Sequence, residues 1–363
     1  MRIQFHKPAL SILFSAAVLA SGAIADTIYL TDGSTLSDVR IKEEGLLAVS
    51  YKEGKGNKTI EVASDTILKI EFSRKPDLVD QAEQDVLDDL LAGAVDFLEN
   101  YVEGVAGKTQ KTYPWAPAYA MFRLVELNEI MGESEKVVVA ADRLIERAPD
   151  SRYVPIAVLK KAEALSDLKK GSDARAALAG LQALVASKGL SEVWNLECKV
   201  RDVMFDTSLK GKSLRSKLEN IVSESDAYPL VRNRAMVALG ESWLDDKKLS
   251  DAESIFKVVV RDANADSRTM AAAYMGMGDC LFQRGSGSKD QVVLEDALMN
   301  YMRIVVSHKN ELRYVPRAMF QAGRVFQHLD APEAEARAQK LYTRLLRNFR
   351  GSRWADEARG FRK

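Results

Sequence analysis

Thiols and imidazoles are scarce in this chain: its 363 residues include 2 Cys and 3 His. Two thiols exclude a disulfide scaffold. So few His leave little material for a His-rich metal centre or a His-based nucleophilic site. With 9 Pro and 21 Gly the chain is neither collagen-like nor largely disordered. An excess of charge is missing too, since 52 basic groups balance 52 acidic ones; this excludes a polycationic nucleic-acid binder and a polyacidic tail. What is plentiful is hydrophobic residues, at 47%, and charge of both signs, at 29%. The length calls for two domains or a repeat array rather than one ordinary core.

Long apolar runs are limited to one, from Pro8 to Gly22. Arg2 and Lys7 precede it and Ala23-Ile24-Ala25 follow, which is the pattern of a secretory signal peptide over residues 1–25, cleaved after Ala25. The run is shorter than the roughly 20 residues of a membrane-spanning helix, and no Cys lies near the cleavage site to carry a lipid. The expected location is the periplasm or the exterior. Cys198 and Cys280 could pair there, but both sit in apolar helical stretches about two repeats apart. They read as buried, unpaired thiols.

From Asp26 to about residue 73 the apolar residues alternate. Thr27-Ile28-Tyr29-Leu30 leads into the turn pair Asp32-Gly33. Val39 and Ile41, Leu47, Val49 and Tyr51, Ile60 and Val62, then Leu68, Ile70 and Phe72 follow with period two. Five short strands in so small a span predict a bent all-β module whose outline resembles SH3-like or Sm-like barrels. Residues 77–117 form a leading helical segment. Its first 27 residues, 77–103, hold nine acids and no base.

From residue 118 to 363 a helical pattern repeats, and the repeat predicts the fold. Gly240 is followed by Trp243, Ala252 and Phe256; Ala162 by Leu165, Ala174 and Leu178 at the same offsets. Gly278 leads to Leu281, Ala297 and Tyr301 after an insertion around Gly285-Ser286-Gly287-Ser288, which reads as a flexible loop. Gly323 leads to Phe326, Ala338 and Tyr342. Weaker copies centre near Val125 and Asp202, giving about six repeats spaced 37 to 45 residues apart. Small residues at these places let paired helices approach, and the large ones fill the space around the contact. Between repeats a second pattern recurs: Arg152-Tyr153-Val154-Pro155 matches Arg313-Tyr314-Val315-Pro316. Ser267-Arg268 and Ser352-Arg353-Trp354 stand at equivalent joints. The aromatic of each joint is expected to wedge neighbouring hairpins together.

The small–large–small–large pattern resembles the tetratricopeptide repeat, whose consensus is about 34 residues. The lengthened form is similar to the YbgF-like and BamD-like repeats of Gram-negative envelope proteins. The resemblance implies a mainly α chain, an α-solenoid of antiparallel helix pairs whose first (A) helices line a concave face that binds protein segments. One place after each anchor should face the groove, giving Glu126, Glu163, Glu241 and Asp279, then Arg324, with Val203 in the degenerate repeat. Four places earlier lie Phe122, Leu159, Val237, Met275 and Phe320. An acidic rail beside a hydrophobic rail suits an amphipathic or basic partner segment; solvated helix surface is the plainer reading.

The two ends of the helical region differ in sign. Residues 337–363 carry nine bases against Asp356 and Glu357. Arg344, Arg347, Arg350 and Arg353 form a candidate basic surface for anionic lipid or cell-wall polymer, or for self-association with the acidic end. No catalytic motif emerges. His308 and His328 have no partner at metal-ligand spacing, and there is no Walker A or nucleophile-elbow sequence. Asp88-Asp89 and Asp245-Asp246 are adjacent on the chain, so they do not share one site. The expectation is a non-enzymatic envelope scaffold without cofactor or metal. A polymer- or membrane-surface binder is the alternative, and a hydrolase with an unrecognised carboxylate pair stands behind both.

Overall fold

The computed structural model describes residues 25–362 apart from Lys55 and Asp89. All of the signal-peptide reading except Ala25 lies outside the described residues. A five-stranded antiparallel sheet comes first: β1 (Asp26–Leu30), β2 (Thr35–Glu44), β3 (Ala48–Glu53), β4 (Ile60–Ala63) and β5 (Ile67–Glu71), in the order β4-β3-β2-β1-β5. Ile28, Val39, Val49, Tyr51 and Ile70 point inward and are buried. Two expected inward residues do not. Leu47 lies in the β2–β3 turn and is exposed. Leu68 is exposed because a register shift between Tyr29 and Leu30 pairs Leu30 with Ile67, putting Ile67 in the core instead.

Helices fill the rest. α1 (Asp77–Leu87) and α2 (Leu91–Asn100) form a leading hairpin. A π turn over Tyr101–Val105 and the short α3 (Ala106–Thr109) follow. Six hairpins then succeed one another: α4 (Ala116–Met131) with α5 (Ser134–Arg147), α6 (Val154–Asp167) with α7 (Gly171–Lys188), α8 (Val193–Phe205) with α9 (Gly211–Glu224), α10 (Pro229–Asp245) with α11 (Leu249–Arg261), α12 (Ser267–Ser288) with α13 (Gln291–Ser307), and α14 (Val315–Phe326) with α15 (Ala334–Asn348). α16 (Arg353–Arg359) covers the last one. Pro stands in the first turn of α4, α6, α10 and α14, where its missing N–H costs nothing. Asp266, Asp290 and Ser352 cap α12, α13 and α16 with their side-chain oxygens.

The glycine anchors lie directly against the large residues of their own hairpins. A Cβ added at Gly240 would stand 2.6 Å from the Phe256 ring, and one at Gly278 2.6 Å from Tyr301. Gly323 faces Tyr342 in the same way. Ala174, Ala252, Ala297 and Ala338 on the B helices are fully buried opposite. The repeat near Asp202 departs from this: Asp202 is exposed and Val203 turns into the core rather than the groove. The Gly285–Ser288 segment is not a loop. It is the last turn of α12, and Gly285 lets that helix pack against Leu294 of α13, so the insertion lengthens the hairpin.

The β-module is docked on the solenoid. Phe72 stacks on Trp115 with ring centroids 3.4 Å apart, and Gly45 forms a β-bridge with Ser151. Arg152 donates to Ile67 O at 3.1 Å and pairs with Glu44 at 3.4 Å, while the Tyr153 hydroxyl donates to the same Glu44 oxygen at 3.1 Å. The inward residues of the sheet and of the helices from α1 to α8 form one continuous core. Both thiols are free and buried, and burial pushes each up to about 12.

Candidate interaction face of the solenoid

Successive A helices, from α4 through α6, α8 and α10 to α12, pack on one another, and side chains from the two ends of the series meet across their shared face. Their inward side chains form a ladder of ion pairs. Lys160 of α6 reaches Glu129 of α4. Arg201 of α8 binds Glu163 of α6 at 2.9 Å and Glu197 on its own helix at 2.6 Å. Arg234 of α10 joins Glu197 to Asp266, the cap of α12, with the latter contact at 2.8 Å. The ladder then returns to its beginning. Arg268 of α12 donates to Glu129 at 2.9 Å, and Arg313, in the α13–α14 joint, donates to both Glu129 and Glu163 at 2.9 Å.

These pairs set the electrostatics. Burial works against a charge on Glu163, yet Arg201, Arg268 and Arg313 together hold its carboxyl down at about 2. Glu129 is held well below the carboxylate range against the same burial cost by Lys160, Arg268 and Arg313. Elsewhere burial prevails. It raises Asp279, which accepts from the Tyr301 hydroxyl at 2.6 Å and from Arg317. It also raises Glu241, whose carboxylate has no hydrogen bond or ion pair among the described residues.

The acidic rail is therefore not one open surface. Glu126 is half-buried and pairs with Arg123, Glu163 belongs to the ladder, Asp279 is buried, and Glu241 alone stands without a counter-charge in contact. Arg324 lies over the Phe282 ring at 5.2 Å. The hydrophobic rail is not open to the groove. Phe122, Leu159, Val237, Met275 and Phe320 are all buried. The joint aromatics cover two of them: Tyr153 stacks on Phe122 at 4.7 Å, and Trp354 packs on Phe320 at 5.6 Å. Sequence reasoning marked the joints but not Arg268 and Arg313 as face residues; their partners are over 100 residues away.

Where the ends of the ladder meet there is a cavity of about 450 Å³, walled by Glu129, Lys160, Glu163 and Asp167 on one side and by Arg313 and Trp354 on the other. On the outer side, α15 exposes Lys340, Arg344 and Arg347 along a depression of similar size. Lys340, Arg344 and Arg350 have no acidic partner among the described residues, Arg347 contacts Asn348, and Arg353 pairs with Glu357 at 3.0 Å. Among the described residues no cluster of His, Cys, Asp and Glu is arranged to hold a metal ion. None of their helices is long and apolar enough to cross a membrane.

Fold and face together define an α-solenoid of tetratricopeptide type, preceded by a small antiparallel β-sheet. No protein-family model matches the chain, and neither does any curated protein sequence. Among solved structures it is similar to a tetratricopeptide repeat protein from Parabacteroides merdae ATCC 43184, at 11% identity over 77% of this chain and 95% of that one, with a TM-score of 0.40. It is also similar to yeast Tom70, at 12% identity over 78% of this chain and 67% of that one, with a TM-score of 0.24.

Proposed function

We propose that the chain is an exported, non-enzymatic scaffold that holds protein segments of the cell envelope along its concave face. The observation that carries this reading is the continuous charged lining supplied by consecutive A helices. Such a lining recognises a segment by the register of charges and hydrogen bonds rather than by enclosing it. Glu241 has spare capacity for an incoming donor, and Glu126 is answered by a neighbour on its own helix. The leader pattern supports export, and the likeness of the lengthened repeats to those of envelope proteins supports the envelope.

The test is affinity capture from a native envelope extract with residues 26–363, followed by cross-link mapping, in parallel with Glu126→Gln/Glu241→Gln. The expected result is a protein cross-linked to the A helices and lost with the variant. Equal capture by both baits would dismiss Glu126 and Glu241 as contacts, cross-links that avoid the A helices would dismiss the face, and no captured protein would dismiss the scaffold. A second reading rests on the unpaired cations of α15: the basic end holds an anionic lipid or polymer surface. Co-sedimentation with anionic vesicles or cell-wall polymer that persists in Lys340→Glu/Arg344→Glu/Arg347→Glu would sink it.

A further inference from the structure

The last rungs of the ladder are unlike the others. Lys160, Arg201 and Arg234 join neighbouring hairpins, whereas Arg268 and Arg313 reach Glu129 and Glu163 from 105 to 184 residues away. They tie the far half of the solenoid across the concave face to the near half. The two sides of this seam are unequal in exposure. The side chains of Arg268 and Arg313 are 34% and 42% accessible, against 15% and 19% for Glu129 and Glu163. The arginines are therefore the more accessible partners of the seam, and the carboxylates on α4 and α6 the more covered ones.

When the arginines leave, Lys160 remains in contact with Glu129 and Arg201 with Glu163. Beside Arg313 the cavity of about 450 Å³ is already open, and its wall includes Asp167, a carboxylate without a hydrogen bond or ion pair among the described residues.

We infer that this seam is an autoinhibitory latch: Arg268 and Arg313 occupy the carboxylates that an arginine- or lysine-rich segment of a partner would engage, and such a segment enters the groove by replacing them. The inference rests on the scaffold reading above and adds the chemistry of the segment and its control. Exchange of one guanidinium for another conserves the charge of the buried site. Binding therefore avoids the cost of leaving Glu129 and Glu163 without enough positive charge. Conversely, each bond to the incoming segment replaces one the chain already makes, so the closed form binds weakly.

The test uses the chain from Asp26 onward and a fluorescent nona-arginine peptide as probe. Arg268→Gln/Arg313→Gln frees the carboxylates without opening a large void. It should bind the peptide at least about tenfold more tightly than the native chain, about 1.4 kcal/mol, and show a larger radius of gyration by small-angle X-ray scattering. Arg268→Lys/Arg313→Lys should behave as the native chain does. Glu129→Gln/Glu163→Gln should open the seam yet gain no affinity. Equal affinity in the native and Arg→Gln chains overturns the latch, as does an equal gain in the Glu→Gln chain. Should the Arg→Gln chain fail to fold, scattering of the native chain at rising ionic strength decides, since salt weakens partly exposed pairs; an unchanged radius of gyration overturns the proposal. A failed latch leaves capture of an envelope protein by the native chain intact, whereas a failed scaffold shows as no capture, whatever the peptide does.

Discussion

At Gly278 one hydrogen atom decides the spacing of a hairpin. The Tyr301 ring lies where a side chain would begin, and the Tyr301 hydroxyl is tied to Asp279 at 2.6 Å, so the ring cannot simply withdraw. Gly278→Ala should therefore cost about 1–3 kcal/mol through overpacking. Gly180 gives the opposite case. It is exposed in α7 with nothing near its would-be Cβ, so Gly180→Ala should gain somewhat under 1 kcal/mol from helix propensity. Urea unfolding of the two variants checks both signs. A Gly278→Ala chain as stable as the native one would refute the packing role of the anchor. Such anchors were legible in the sequence because small and large residues recur at fixed offsets along one hairpin. The burial of the hydrophobic rail was not, because its cover comes from the joint of the next hairpin.

Among the elements, the joint between α5 and α6 has two tasks. Tyr153 wedges against Phe122, and Arg152 with Tyr153 grips Glu44 at the end of β2. Burial raises the Glu44 carboxyl to about 7, against the pull of Arg152 and of the hydrogen bonds from Tyr153 and Arg152. The sign of the pH effect follows from proton uptake. From the ordinary value of 4.5 up to about 7, the docked form binds a proton that the undocked form has released. This group therefore makes docking lose stability as the pH rises through that window, by an amount of the order of 3 kcal/mol. Hydrogen exchange in β2 and β5, corrected for intrinsic rates, should show weaker protection at pH 8 than at pH 5 in the native chain. Glu44→Gln should flatten that difference, and an unaltered pH profile in the variant would contradict it. The matching joint before α14 uses the same four residues differently: Arg313 closes the seam instead of holding a sheet. One sequence motif, two partners: the difference lies in what the fold brings beside each copy.

Over the whole molecule, the cores are arranged in series. One runs from the sheet to α8, one from α8 to α10, one from α10 to α12 and one from α12 to α16. Apart from the ionic seam between the far and near halves, stability in such an array is a sum of units and nearest-neighbour contacts. Trp354, packed on Phe320 with Arg317 over its ring at 5.7 Å, belongs to the last of these cores. Trp354→Ala should accelerate hydrogen exchange in α14–α16 and leave the sheet and α4–α7 as protected as before. Faster exchange throughout would mean a single cooperative unit.

The sequence by itself determined the class of the chain: the period-two module, the helical repeat, the glycine anchors and their partners, and the buried thiols. All of these depend on residues close together along the chain, or on a pattern that the backbone period repeats. Only the tertiary structure decided the docking of the β-module, the covering of the hydrophobic rail and the closing of the ionic ladder. Those depend on the curvature accumulated over many hairpins, which sets which charges meet across the concave face and is encoded at no single position.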